Sequence, residues 1–169
     1  MFWRYVFSII ILACCCFGRY ETVAADNRFG LSAEEVIWIS GKVFENECGD
    51  EERCLLEWNN GENFLSLGIG HFIWYPEGVK GPFVESFPDF LKFAQELSAP
   101  VPLWLVVQDG GFVGCPWQTR EDFLKSRESQ PFLELKTFMQ GTRAMQADFL
   151  IQRLHNALPE MLANVPVTE

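Results

Sequence analysis

Asn60-Gly61 constrains this chain more than any other pair of its residues. A two-residue connection between right-twisted antiparallel strands needs positive φ at its centre, and Asn-Gly adopts that conformation with the least strain. Before it stand residues 53–59 (RCLLEWN), readable as a short strand or half a helical turn. After it comes ENFLSLGIGHFIWYP (62–76), β-prone at first, then punctuated by glycines and closed by Pro76 and Gly78. A small hairpin is therefore expected. The period-two rule places Glu62, Phe64 and Ser66 on one face of its second strand. Gly68 and Gly70 would let a ligand come close to the backbone there.

The rest of the pattern is helical. Ser32 and Glu35 form a capping box, and Val36, Ile37, Val43 and Phe44 follow on one face up to a C-cap at Gly49. Glu34, Trp38, Lys42 and Glu45 share a solvated stripe. Ser86 and Asp89, with Pro88 in the first turn, open a helix carrying Phe90, Phe93, Ala94 and Leu97 that Pro100 and Pro102 break. Residues 103–107 (LWLVV) read as a short buried run, and Gly110-Gly111 and Gly114-Cys115-Pro116 as a loop. Thr119 with Asp122 starts another helix, and residues 133–140 form one more. Residues 142–158 form the longest, with Ala147, Leu150, Ile151, Leu154 and Leu158 on one face until Pro159 stops it. The expected class is α+β, mostly helical, with a small β-hairpin.

Residues 1–25 have a different character. Arg4 precedes an apolar run from Val6 to Gly18, and Val23-Ala24-Ala25 offers small residues before Asp26. That is the pattern of a secretory signal peptide, and a run of about thirteen apolar residues is short against the ~20 a bilayer span needs. Ile11-Leu12-Ala13-Cys14 also resembles a lipoprotein box, so a lipid anchor at Cys14 is the alternative. Either route places a single domain, residues 26–169, outside the cytoplasm, in the periplasm or secreted. No later segment is expected to span a membrane.

The whole chain carries 13 basic and 23 acidic residues, a net charge of −10, and loss of Arg4, Arg19 and Glu21 with the signal takes it to −11. Nothing would neutralise phosphates at scale, which argues against nucleic acid as a partner. In an oxidising compartment Cys48 and Cys54, separated by five residues just beyond a helix end, are disulfide candidates. Closing so short a loop contributes on the order of 2 kcal/mol or less. The two thiols lack the further ligands zinc needs and the chain has only two histidines, His71 and His155, so neither a metal nor another cofactor is expected.

Glu47 is out of place. It continues the apolar stripe, four residues after Val43 and three after Phe44, and sits in the last helical turn, where the dipole disfavours a negative charge by ~0.3–1 kcal/mol. Partial burial and the dipole both penalise the ionised form, the tuning a general acid needs near neutral pH.

A helix ending in Glu, a small hairpin with a polar turn, and then Ser66-Leu67-Gly68-Ile69-Gly70-His71 resembles the phage-type lysozymes, whose hairpin reads Asp, a polar turn and Thr-Ile-Gly-x-Gly-His. Glu47-Cys48-Gly49 is similar to the Glu-Ser-Gly that closes the catalytic helix of lytic transglycosylases and goose-type lysozymes. Ser66, Gly68, Gly70 and His71 fall on their counterparts, but the Asp position holds Asn60, with Glu62 as the nearest carboxylate. The spacing from Glu47 to this block is longer than in phage lysozymes, whose Glu would fall nearer Glu51. The longer block from Trp58 to Pro76 also resembles a group of uncharacterised secreted bacterial proteins.

The resemblance implies a lysozyme-like domain that cleaves peptidoglycan glycan strands as a glycosidase or lytic transglycosylase of the cell wall. Glu47 would act as the acid, with Glu62 and Ser66 beside it. Asn60, His71, Trp58, Trp74 and Tyr75 would contact substrate, the three aromatics by stacking on sugars, although in so aromatic a chain a core role competes. The acidic charge suits an enzyme of its own cell's wall better than a weapon, since cell walls are largely anionic. A non-catalytic envelope protein of the same fold, binding glycan or a protein partner, is the alternative, and Asn60 favours it.

Overall fold

The computed structural model describes residues 32–48, 52–107 and 109–163. Helix α1 (Ala33–Cys48) leads through a 3₁₀ turn (Glu52–Leu55) into β1 (Leu56–Glu57), β2 (Leu65–Leu67) and β3 (Phe72–Trp74). Four helices follow: α2 (Phe87–Glu96), α3 (Arg120–Lys125), α4 (Gln130–Gly141) and α5 (Arg143–Ala163), with a second 3₁₀ turn (Leu103–Leu105) between α2 and α3. The class is the α+β one expected, mostly helical, but the sheet has three strands in the order β1-β2-β3, all antiparallel. No helix among the described residues is long and apolar enough to cross a membrane.

The capping box forms as its spacing dictates. Ser32 N–H donates to Glu35 Oε2 at 2.6 Å, and Glu35 N–H donates to Ser32 Oγ at 3.2 Å. These bonds hold the Glu35 carboxyl below its usual range. Along α1 the outer stripe of Glu34, Trp38, Lys42 and Glu45 is exposed. The inner stripe is narrower than its pattern implies: Phe44 is buried under the Arg143 guanidinium, 4.7 Å from its ring centroid, while Ile37 is 58% exposed. The helix packs against α5 and the 3₁₀ turn, so only one edge of its apolar face is covered. The C-cap expected at Gly49 lies outside the described residues.

Asn60-Gly61 forms a turn, with Gly61 at φ 87° and Glu62 N–H donating to Asn59 O at 3.3 Å. With β1 ending at Glu57 and β2 starting at Leu65, residues 58–64 form a connection longer than the two-residue loop expected. A second, unforeseen reversal spans Gly68 to His71 and returns the chain as β3, whose Phe72 and Trp74 are both wholly buried. Phe72 stacks on Phe90 of α2 at 4.9 Å and meets Phe149 of α5 edge-on. Trp74 packs on Phe87, Trp104 and Trp117. This aromatic layer is the core that joins sheet to helices.

Three helix signals have different outcomes. Thr119 caps α3, its hydroxyl accepting from Asp122 N–H at 3.1 Å. Ser86 precedes α2 but does not cap it with its side chain; its Oγ accepts instead from Ile73 N–H of β3 at 3.1 Å. Pro159 does not stop α5, which runs on to Ala163: its fixed φ suits a helix, although an interior proline removes one backbone hydrogen bond and crowds the carbonyl four residues earlier. Of the run 103–107, Leu105 is buried and Leu103 is 89% exposed.

Cys54 is disulfide-bonded and Cys115 is free and buried, so the two are not joined. The Cys48 side chain, the partner expected from the spacing, lies outside the described residues. Burial pushes the Cys115 thiol from an ordinary 9.0 up to about 12, a bond to Trp117 O opposes this, and the Glu85 charge adds to it. An unfolded chain loses that proton near the ordinary value while the native protein keeps it. Stability therefore falls as pH rises between these two values. Urea midpoints at about pH 8 and about pH 10.5 are expected to fall less in Cys115→Ala than in the parent chain; equal slopes would show that the thiol is not linked to folding.

Candidate functional site

The residues singled out in the sequence lie on α1, on the first hairpin turn and on the reversal between β2 and β3. Glu47 stands one residue before the end of α1, whose last turn contains no basic residue to offset the dipole. Its side chain lies outside the described residues. The helix is followed closely by the 3₁₀ turn that feeds the sheet.

The turn is tied at four points. Trp58 Nε1 donates to Glu62 O at 2.8 Å, Asn59 Nδ2 donates to Glu62 Oε2 at 3.0 Å, and the backbone bond from Glu62 to Asn59 closes the reversal. Arg120 of α3 reaches in from outside, its Nε donating to Trp58 O at 2.8 Å. Glu62 is thus half-buried and held by the turn's own residues, while Asn60 is exposed at the crest. The strand begins only at Leu65, so Glu62 and Ser66 do not share a strand face as the period-two reading expected. The longer connection is the reason.

Ser66 is buried in the central strand, and its Oγ lies 3.4 Å from His71 Nδ1. His71 is exposed, at φ 46°, in the reversal that follows. The structure therefore brings Ser66 and His71 together, and separately Asn59, Asn60 and Glu62.

The glycines do other work than admitting a ligand. Gly68 has φ 69°, and a Cβ there would lie 2.3 Å from Gln146 Oε1 and 2.7 Å from Met139 Cε. At Gly70 a Cβ would lie 2.6 Å from Phe72 Cε1 and 2.8 Å from Leu150 Cδ2. Both glycines admit α4, α5 or the core ring rather than substrate, which corrects the ligand-approach reading. Gln146, absent from the sequence-based candidates, is fully buried at this junction. It accepts from Ile69 N–H at 3.0 Å and donates to Met139 O at 2.7 Å and Thr142 Oγ1 at 3.1 Å. A lone Gln in an amphipathic helix gives no sequence signal for such a role.

Trp58, Trp74 and Tyr75 are buried at 4%, 0% and 4% exposure, so the core role is the one they have and none offers a ring face to a sugar. Trp58 packs on Phe123, Trp74 donates to Val113 O, and Tyr75 packs against Phe64. Elsewhere, burial raises the half-buried Asp148 carboxyl of α5 above its ordinary value. Among the described residues no group of three His, Cys, Asp or Glu side chains could hold a metal ion. No family model, curated protein or solved structure matches this chain.

Proposed function

We propose that the chain is an exported peptidoglycan-cleaving enzyme of the cell envelope, lysozyme-like in fold, with Glu47 as its general acid. The observation that carries this reading is the order of elements around Glu47. A helix whose last turn holds that carboxyl leads into an antiparallel sheet, first through a polar turn bearing Glu62 and then through a Gly-Ile-Gly-His reversal beside Ser66. The lysozyme-like resemblance rests on that same succession in the sequence. An acid at a helix C-terminus lacking basic residues is disfavoured in its ionised form, and the protonated form is the one that can donate to a glycosidic oxygen.

The reaction type follows from Asn60. Hydrolysis with inversion needs a second carboxylate about 6.5–9.5 Å away to activate water. An amide has no proton affinity for that task, and Glu62, bonded through one carboxylate oxygen to Asn59, lies in the turn and not on the strand that carries Ser66. Lytic transglycosylation avoids the requirement, since the sugar's own 6-hydroxyl attacks and one carboxyl serves first as acid and then as base. Digestion of sacculi is therefore expected to yield 1,6-anhydro ends. Reducing ends that disappear in Glu62→Gln would make Glu62 a base and overturn this assignment.

A second reading, a non-catalytic envelope protein of the same fold that binds glycan or a protein partner, is favoured by the exposed Asn60 at the Asp position. The burial of Trp58, Trp74 and Tyr75 also removes the rings expected to stack on sugars.

A further inference from the structure

At the far end of β3 from His71, the segment after Trp74 crosses the loop that precedes α3. Pro76 pairs with Cys115, and Cys115 N–H donates to Tyr75 O at 2.9 Å. The crossing is close, for a Cβ at Gly114 would lie 2.9 Å from Glu77 Cα. Beside it opens a cavity of about 380 Å³, within the range of small-molecule sites. Val107, Phe112 and Val113 give it apolar walls, and the exposed Glu77 and Glu85 give it two carboxylates. No basic side chain lines it, and neither carboxylate forms an ion pair among the described residues. Glu85 Oε1 accepts from Tyr75 N–H at 2.8 Å, which fixes that carboxylate beside the cavity and leaves Oε2 without a hydrogen bond among the described residues.

We propose that this cavity binds a primary ammonium group carried on an apolar stem, the chemistry of a lysine-type side chain. The carboxylates supply the countercharge and the valine and aromatic walls cover the stem. With one oxygen of Glu85 engaged by Tyr75 N–H, a guanidinium fork would pair fully with Glu77 alone, whereas a compact ammonium with three donors can be shared by both carboxylates. An organic cation suits it better than a metal ion, since two carboxylates alone fall short of a cation's ligand set. The proposal does not depend on the enzymatic reading, because none of the residues proposed for cleavage lines this cavity.

Calorimetric titration of the purified protein with Nα-acetyl-lysine amide, 1,5-diaminopentane and the uncharged norleucine analogue tests it. The two cations are expected to bind saturably, and the norleucine analogue about tenfold or more weaker. Tighter binding of the lysine amide would assign a peptide-borne side chain, and tighter binding of the diamine a free small molecule. Glu77→Gln, which disturbs no described internal contact, and Glu77→Gln with Glu85→Gln, which keeps an oxygen for Tyr75 N–H, are each expected to weaken the cations. The double variant should do so by about tenfold or more, with unchanged thermal unfolding. Equal binding of the norleucine analogue, parental affinity in the double variant, or no saturation by either cation up to about 10 mM would overturn the proposal.

Discussion

Gly68→Ala is expected to lose about 4 kcal/mol of folding stability, in the range reached only when several faults coincide. Its φ of 69° lies in the left-handed region, where a Cβ costs ~1–2 kcal/mol. The added methyl would also meet Gln146 Oε1 at 2.3 Å and Met139 Cε at 2.7 Å. Moving Gln146 aside leaves Ile69 N–H and Met139 O buried without their partner, at ~1–3 kcal/mol for each unsatisfied group. Gln146→Leu, which removes the same bonds, is expected to lose a comparable amount. Gly78, at φ 77° with open space around its Cα, isolates the conformational part, and Gly78→Ala should lose only ~1–2 kcal/mol. Urea unfolding of the three variants measures this. A Gly68→Ala midpoint equal to that of Gly78→Ala would show that the junction yields without penalty.

Glu47→Gln is expected to reduce glycan cleavage by about a hundredfold or more, the loss that follows removal of a general acid. The amide keeps the shape of the side chain and cannot donate the proton that the leaving oxygen needs. Stability should be unchanged or slightly higher, since a negative charge is removed from a helix C-terminus whose last turn has no basic residue. Initial rates of soluble muropeptide release, read beside thermal unfolding, separate the outcomes. An unfolded variant would make Glu47 structural, and a folded one cutting at the parental rate would make it idle.

Local chemistry was legible wherever the partners are neighbours in the chain. Ser32 with Glu35 and Thr119 with Asp122 make bonds over three residues and each formed as read, and Asn60-Gly61 turns the chain as expected, though inside a longer connection than the two-residue loop. The readings that failed depend on distant partners. Ser86 has the identity of an N-cap, but its hydroxyl meets Ile73 N–H, thirteen residues away. Ile37 matches the apolar stripe of α1, yet no helix covers that edge.

The candidate site shows the same division. Gly68-Ile69-Gly70 reads as an opening for a ligand because the sequence cannot reveal that Gln146, 77 residues from Ile69, fills the space. Trp58, Trp74 and Tyr75 carry chemistry suited to sugars, and the core claims them because each indole or phenol finds a polar partner inside: Glu62 O, Val113 O, and the backbone of Phe83. Period two placed Glu62 beside Ser66 by assuming a two-residue loop, and the longer connection separated them. The cavity beside Tyr75 is built from residues 75–79 and Glu85 on one side and Val107 and residues 112–114 on the other, a pairing that no local pattern announces.

The measurement that bears most directly on peptidoglycan cleavage is incubation of the purified protein with isolated sacculi, followed by separation of soluble from sedimented glycan. Soluble muropeptides accumulating with time and with protein concentration are the expected result. Sacculi that stay intact while the protein sediments with them would contradict it and leave the non-catalytic binding reading in its place.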